Sequence, residues 1–153
     1  CERSRRALTN LRNGDVESFG HLMDLSHDGD RVVDAGGLPY SPDLGNAAMA
    51  KLAQAAAGSD PGALNAALHQ QTGAYAASCP ELDALVDCAR GVDGVLGAGL
   101  VGAGLGGCVS VLVRAARVDE LVDVVERGYY AGRDVEPFIE VCAPVDGASV
   151  AAV

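Results

Sequence analysis

The sequence predicts an α+β fold in which helices cover an antiparallel sheet, and three observations carry that expectation. Apolar residues recur at helical spacing through the first part of the chain and again from Val118. Residues 95–101 and 108–113 read as strands, with valine at alternate positions in the second and glycines between them. The interior must also be built from Val, Leu and Ala, because Trp is absent and aromatics make up only 4% of the chain. Small side chains of that kind let helices pack closely on a sheet. Helices first, then strand, glycine turn, strand, helix and strand is an α+β order.

A chain of 153 residues suits one domain, taken as 1–153, and can bury a respectable core. Residues 2–13 read as a polar helix with apolar points at Ala7, Leu8 and Leu11, broken by Gly14. Asp15 is a good N-cap for a second helix, whose Val16, Phe19, Leu22 and Met23 face the core and which ends near Ser26-His27. His21 and His27 are not spaced to share a helical face as a metal pair, so they read as solvated or hydrogen-bonded. From Gly29 to Asp43 the chain loosens into a loop. Residues 44–57 form an alanine-rich helix, and Pro61 opens another that runs to Gly73. Ser78-Cys79-Pro80-Glu81 has the spacing of a capping box, ahead of an apolar stripe at Leu82, Leu85, Val86 and Ala89. Later, Val118, Leu121, Val122, Val125 and Tyr129 define an amphipathic helix loosely capped by Asp119. Pro137–Cys142 reads as a final strand and Gly147–Val153 as a tail returning over the surface.

The stretch Gly94–Val113 organises the rest: seven of its twenty residues are glycine and none is charged. Its length suits a membrane span, but each glycine in a helix costs about 1 kcal/mol relative to alanine and no aromatic belt flanks it. No membrane role is expected. Gly102-Ala103-Gly104-Leu105-Gly106-Gly107 matches G-x-G-x-x-G, yet a dinucleotide fingerprint needs a helix to follow, and a strand follows here. The absence of Gly-Lys-Ser/Thr excludes a Walker A loop. The six residues therefore read as a tight connection between strands.

The net charge of −10 and the scattered basic residues exclude a nucleic-acid face. Five cysteines without C-x-x-C argue against a disulfide framework or structural zinc, and a reducing cytoplasm is the simplest setting. Cys79 near a helix start reads as a packing residue rather than a reactive thiol. Cys1 opens the chain inside a helical pattern, which suggests a piece of something longer.

Several segments resemble one known family in order along the chain. Gly14-Asp15, Phe19-Gly20, Leu22-Met23, Ser26-His27, Tyr75-Ala-Ala-Ser-Cys-Pro-Glu-Leu-Asp83, Gly94-Val-Leu-Gly-Ala98, Gly102–Cys108 and Gly147-Ala148 are similar to the C-terminal half of galactokinases, of the GHMP small-molecule kinases. The resemblance implies a ferredoxin-like α+β domain with extra N-terminal helices, residues 28–77 being a helical insertion. It implies ATP-dependent phosphorylation of galactose or a related sugar at the anomeric hydroxyl, with Mg2+. It places Gly102, Ala103, Gly104, Leu105, Gly106 and Gly107 beside the phosphates and the sugar, where backbone amides can face anionic oxygens.

The departures from the family pattern matter equally. Gly99-Leu100-Val101 stands where galactokinases usually carry Arg-Met-Thr, and Leu105 replaces an aromatic, which opens a different phosphoryl acceptor as an alternative. The family's Gly-Glu-His-x-Asp sugar segment, its serine-rich ATP loop and its catalytic aspartate and arginine have no match here. No catalytic residue and no metal ligand is therefore assigned to this chain. ATP and Mg2+ are expected to be bound mainly by an N-terminal kinase domain absent from it, and the chain alone is expected to be catalytically silent. A non-catalytic ferredoxin-like ligand-binding module is the reading from a different class.

Overall fold

The computed structural model describes residues 2–59, 61–104 and 107–143. Its α-helices are α1 (Glu2–Arg12), α2 (Val16–Asp30), α3 (Asn46–Ala56), α4 (Pro61–Ala66), α5 (Pro80–Arg90) and α6 (Val118–Val125). The strands β1 (Val95–Val101) and β2 (Cys108–Val113) pair antiparallel, with Ala98 opposite Val111 and Val101 opposite Cys108. The fold is thus α+β with an antiparallel sheet, as the pattern of the sequence requires. Among the described residues no helix is long and apolar enough to cross a membrane.

The core forms where α5 and α6 meet one face of the sheet. Val86, Ala89, Ala98 and Val125 are buried together, and Leu85, Val109, Val111, Leu121 and Tyr129 pack around them. Val86 alone, fully buried, contributes roughly 1.5–3 kcal/mol. The cluster contains only small and medium side chains, in keeping with the composition. Beyond Val125 the last helix widens into one π-type turn, Glu126–Tyr130, where the rings of Tyr129 and Tyr130 meet edge-on.

On the other side α2 meets β1 backbone to backbone. A Cβ on Gly20 would lie 2.0 Å from the Leu96 carbonyl oxygen, and one on Gly97 would lie 2.2 Å from the Gly20 carbonyl oxygen. No residue but glycine fits at either position, and the register shift between Val95 and Gly97 falls at this crossing. Asp15 caps α2, accepting from the Ser18 amide at 3.0 Å as expected.

Several element boundaries differ from the sequence reading, each for a local reason. Helix α2 runs one turn past Ser26-His27, because Gly29 leaves room for the Thr72 backbone and does not end the helix. The helix expected over 61–73 stops at Ala66 and gives way to a 3-10 turn at Leu68–Gln70. Leu64 and Leu68 are exposed, so no apolar surface extends it. The N-cap of α6 is Arg117, not Asp119, which falls inside the first turn.

The strand expected at Pro137–Cys142 is not formed. Pro137 donates no amide hydrogen, Phe138 lies exposed, and among the described residues the sheet holds β1 and β2 alone. The tail 147–153, with Gly147-Ala148, lies outside the described residues.

Candidate functional site

The glycine segment joins β1 to β2 directly, as the sequence reading requires. Gly102 has φ +82° and Ala103 is exposed at the turn. Gly104 then presses on the chain ahead of α5: a Cβ there would lie 2.5 Å from the Ser78 carbonyl carbon and 2.8 Å from the Cys79 nitrogen. Its amide donates to the Ala77 carbonyl at 2.6 Å. Gly107 closes the loop against the Ala103 and Val101 carbonyls. Leu105 and Gly106 lie outside the described residues. The described start of this flap, Gly102 and Ala103, is therefore exposed, and Gly104 seats it on the entrance of α5, with the Gly104 amide committed to that seat.

The entrance of α5 is built differently from the expected capping box. Its N-cap is Cys79, in extended conformation, with no side-chain cap bond, and Pro80 is the first helical residue. Starting at Pro80 puts Ser78 one position outside the cap, so the Ser-x-x-Glu spacing falls out of register. The Ser78 hydroxyl instead lies 3.4 Å from the Cys79 carbonyl. Just upstream, Ala76 takes φ +50°, and the amides of Tyr75 and Ala76 donate to the Gly29 carbonyl. Tyr75 is left 84% exposed.

Beside Tyr75 lies a cavity of about 530 Å³ between α1, α2 and residues 72–75. Its floor is apolar, from Ala7, Phe19, Leu22 and Met23, and its rim carries Arg3, Ser26, Asp30 and Thr72. Burial pushes the Asp30 carboxyl up from the ordinary aspartate range, opposed by the Arg3 guanidinium. A second cavity, of about 240 Å³, is lined by Asp28, Arg31, Asp34, Tyr40 and Asp87. Neither cavity is lined by the described residues of the glycine loop.

The smaller cavity borders a polar junction, between α2, β1 and α5, that sequence reasoning missed. Asp24 accepts from the Arg90 Nε at 2.9 Å and from the Ala98 amide at 2.8 Å. Arg90 also reaches Asp28 at 2.7 Å and the carbonyls of Asp24 and Ala98. The Ala98 amide and carbonyl on the free edge of β1 are thus taken up by side chains. Asp83, fully buried on α5, accepts from the Val32 and Val33 amides. Arg31 forms a two-point pair with Asp87, a hydrogen bond that holds the Asp87 carboxyl below its ordinary range.

His27 departs from the expected solvated or hydrogen-bonded state: it is buried and neither ring nitrogen makes a hydrogen bond, although Nε2 lies 3.4 Å from the Asp83 Oδ1. His21 does bond, to Gln70 at 3.0 Å. Asp83 and Arg90 share α5 with its apolar stripe, and that is the one signal that could have drawn attention to them. Cys79, Cys88, Cys108 and Cys142 are free thiols, and burial pushes the Cys88 thiol up. Among the described residues no group of His, Cys, Asp and Glu is arranged to hold a metal ion.

The departure at Gly99 now has a structural reading. A Cβ there would lie 3.2 Å from the Met23 carbonyl and 3.3 Å from the His27 Cβ, so α2 presses on this position of β1. Val101, at the mouth of the loop, is exposed and offers an apolar surface.

Comparison with known proteins agrees with this architecture. The family model described as GHMP kinases C terminal matches residues 48–131, more than half of the chain. The galactokinase of Bos taurus is 26% identical over 129 residues, which is 84% of this chain and 22% of that protein. The galactokinase of Clostridium acetobutylicum is 26% identical over 147 residues, covering 96% of this chain and 27% of the relative. The galactokinase of Streptomyces coelicolor reaches 44% identity over 71 residues, 46% of this chain and 18% of its own length. The chain thus spans roughly a quarter or less of these relatives. An antiparallel pair joined by a glycine flap, helices seated on it, and a family match across that same segment make this chain a member of the GHMP kinase C-terminal family, similar to the galactokinases.

Proposed function

We propose that the chain is the C-terminal portion of an ATP-dependent, galactokinase-like sugar kinase that phosphorylates the anomeric hydroxyl of galactose or a related sugar. The observation that carries this reading is the glycine flap, seated by Gly104 on the Ser78–Cys79 backbone with Gly102 and Ala103 presented outward. Backbone this bare can stand close to phosphate oxygens without side-chain obstruction. The junction arginines are committed to carboxylates and carbonyls, so the flap's own contribution toward an anion is main-chain. Such a surface supplies one wall of a phosphoryl-transfer site. The cation clamps and in-line positioning that the reaction demands belong to an N-terminal kinase domain, which is the proposed partner and the proposed main holder of ATP and Mg2+.

The test is sugar-dependent ADP release by the parent protein, assayed over a panel that includes galactose. Gly104→Val should lower turnover by roughly 100-fold, the scale expected when a positioning element shifts by about 1 Å. The isolated chain should release no ADP. A parent protein without sugar-dependent release, or a Gly104→Val variant with normal turnover, defeats the reading. A GHMP kinase with another acceptor is the second reading, favoured by the Gly99-Leu100-Val101 departure and by the tight packing of Gly99 on α2. The same panel separates the two.

A further inference from the structure

The larger cavity, between α1, α2 and residues 72–75, has no part in the phosphoryl-transfer reading, since the described residues of the flap do not line it. Its walls are fixed by bonds within the protein. The Gly29 carbonyl accepts from the Tyr75 and Ala76 amides, and the Asp30 carbonyl accepts from the Ser78 amide at 2.9 Å. Gly29 lies so close to the same strap that a Cβ there would come within 2.2 Å of the Thr72 carbonyl oxygen. On the α1 side, Arg3 donates to the Gln71 carbonyl at 2.8 Å. These ties hold open about 530 Å³, within the range of sites for small molecules.

Two opposite charges line this space without pairing with each other. Among the described residues no hydrogen bond or ion pair reaches the Asp30 carboxylate, and no carboxylate pairs with Arg3. Arg31 and Arg90 of the junction, by contrast, are each paired with a carboxylate. A part-buried carboxylate calls for a cation, and a guanidinium for a carboxylate. The floor calls for something else, because Phe19, Leu22 and Met23 of α2 form an apolar wall. An aromatic ring beside a flexible thioether suits a bulky apolar group.

We propose that this cavity binds a free α-amino acid with a large apolar side chain, its ammonium set against Asp30, its carboxylate against Arg3 and its side chain on Phe19, Leu22 and Met23. One small molecule then answers all three demands. A neutral apolar molecule would bury the Asp30 charge further without compensating it. A simple amine would leave Arg3 unanswered, and a simple carboxylate would do the same to Asp30. Burial already disfavours the Asp30 charge and Arg3 opposes that effect, so an ammonium beside it adds compensation where it is short.

Titration of this chain with free phenylalanine, followed through its amide resonances, tests the site without reference to turnover, so the outcome is independent of the kinase reading. The amides of Phe19, Met23 and Thr72 should shift and saturate with Kd below about 1 mM. N-acetylphenylalanine, which lacks the ammonium, and phenethylamine, which lacks the carboxylate, should each bind at least about tenfold more weakly, the effect of one lost charged hydrogen bond. Asp30→Asn should weaken phenylalanine by about the same tenfold factor and leave N-acetylphenylalanine unchanged. Arg3→Met should weaken phenylalanine and leave phenethylamine unchanged. Should either variant fail to fold, the three ligands on the wild-type chain decide. Binding weaker than about 1 mM, shifts that fall away from the cavity, an analogue that matches phenylalanine, or a folded Asp30→Asn variant with undiminished affinity would each overturn the assignment.

Discussion

The α2–β1–α5 junction and the segment from Asp34 to Gln71 use the same chemistry at very different range. In both, aspartate carboxylates accept from backbone amides. Asp34 takes the amides of Gly36 and Leu38, and Asp43 takes that of Gly45, all within four residues. Asp24 takes the amide of Ala98 across 74 residues, and Asp83 those of Val32 and Val33 across 51 and 50. Local bonds shape a turn and leave its surroundings free: α3 buries none of its residues, and Leu38, Leu64 and Leu68 stay in solvent. Long-range bonds tie three elements into one unit. The junction fixes β1, from which the flap starts, whereas the Asp34–Gln71 segment is tied to α1 and α2 at its end, where Arg3 donates to the Gln71 carbonyl and His21 bonds Gln70.

The harshest way to break that contrast is at the backbone crossing. Gly20→Val drives a side chain into the Leu96 carbonyl, where neither α2 nor β1 can yield without breaking the sheet register. Urea unfolding should show a loss of more than about 4 kcal/mol, beyond ordinary overpacking. A fully tolerated valine would mean that α2 and β1 do not touch as described.

A gentler comparison replaces one aspartate from each region. Asp24→Ala strips the Ala98 amide and the Arg90 guanidinium of a partner in a part-buried setting, and should lose about 2–4 kcal/mol. Asp34→Ala removes bonds that water can replace and should lose under about 1 kcal/mol. Equal losses in the two variants would erase the distinction between the regions.

The acid limb of stability offers a third test. The Arg31 hydrogen bond keeps the Asp87 carboxyl below its ordinary range, with Arg31 and Arg90 charges adding to the effect against burial. A carboxyl depressed in the folded state contributes stability that is complete above its unfolded value, near pH 3.9, and is lost as pH falls through the folded value. Arg31→Met should flatten that limb, removing about 1 kcal/mol above pH 5 after allowance for solvent around a part-exposed pair. An acid limb of unchanged depth in Arg31→Met would assign it to other carboxylates.

These comparisons also show what the sequence could reveal. Periodicity found α1, α2, α5 and α6, and alternating valines with their glycines found β1, the flap and β2, because those signals are local. The flap was legible as a strand connection, but its seat was not, since nothing in Gly102–Gly107 says that Gly104 will meet Ser78. The junction was hidden for the same reason. Asp24, Asp34 and Asp83 look alike in a string, and only the third dimension decides which one reaches across the fold. His27 was misjudged because a histidine left buried without a hydrogen bond runs against the usual rule. The capping box failed by a single residue of register, within the ordinary scatter of helix starts.

The smallest effect concerns the strand that the sequence led one to expect and the fold does not contain. Phe138 lies 83% exposed in a segment that pairs with nothing in the sheet, although Val135, Ile139 and Val141 around it are strand-forming. An apolar side chain already in water has no transfer energy left to lose. Phe138→Ser in this chain should therefore change the unfolding free energy by no more than about 0.5 kcal/mol. A loss of about 2 kcal/mol or more, the worth of a buried phenylalanine, would show the segment packed as the alternating pattern predicts. The measurement thus weighs local strand propensity directly against the supply of a neighbour, which a strand needs as much as it needs valine and isoleucine.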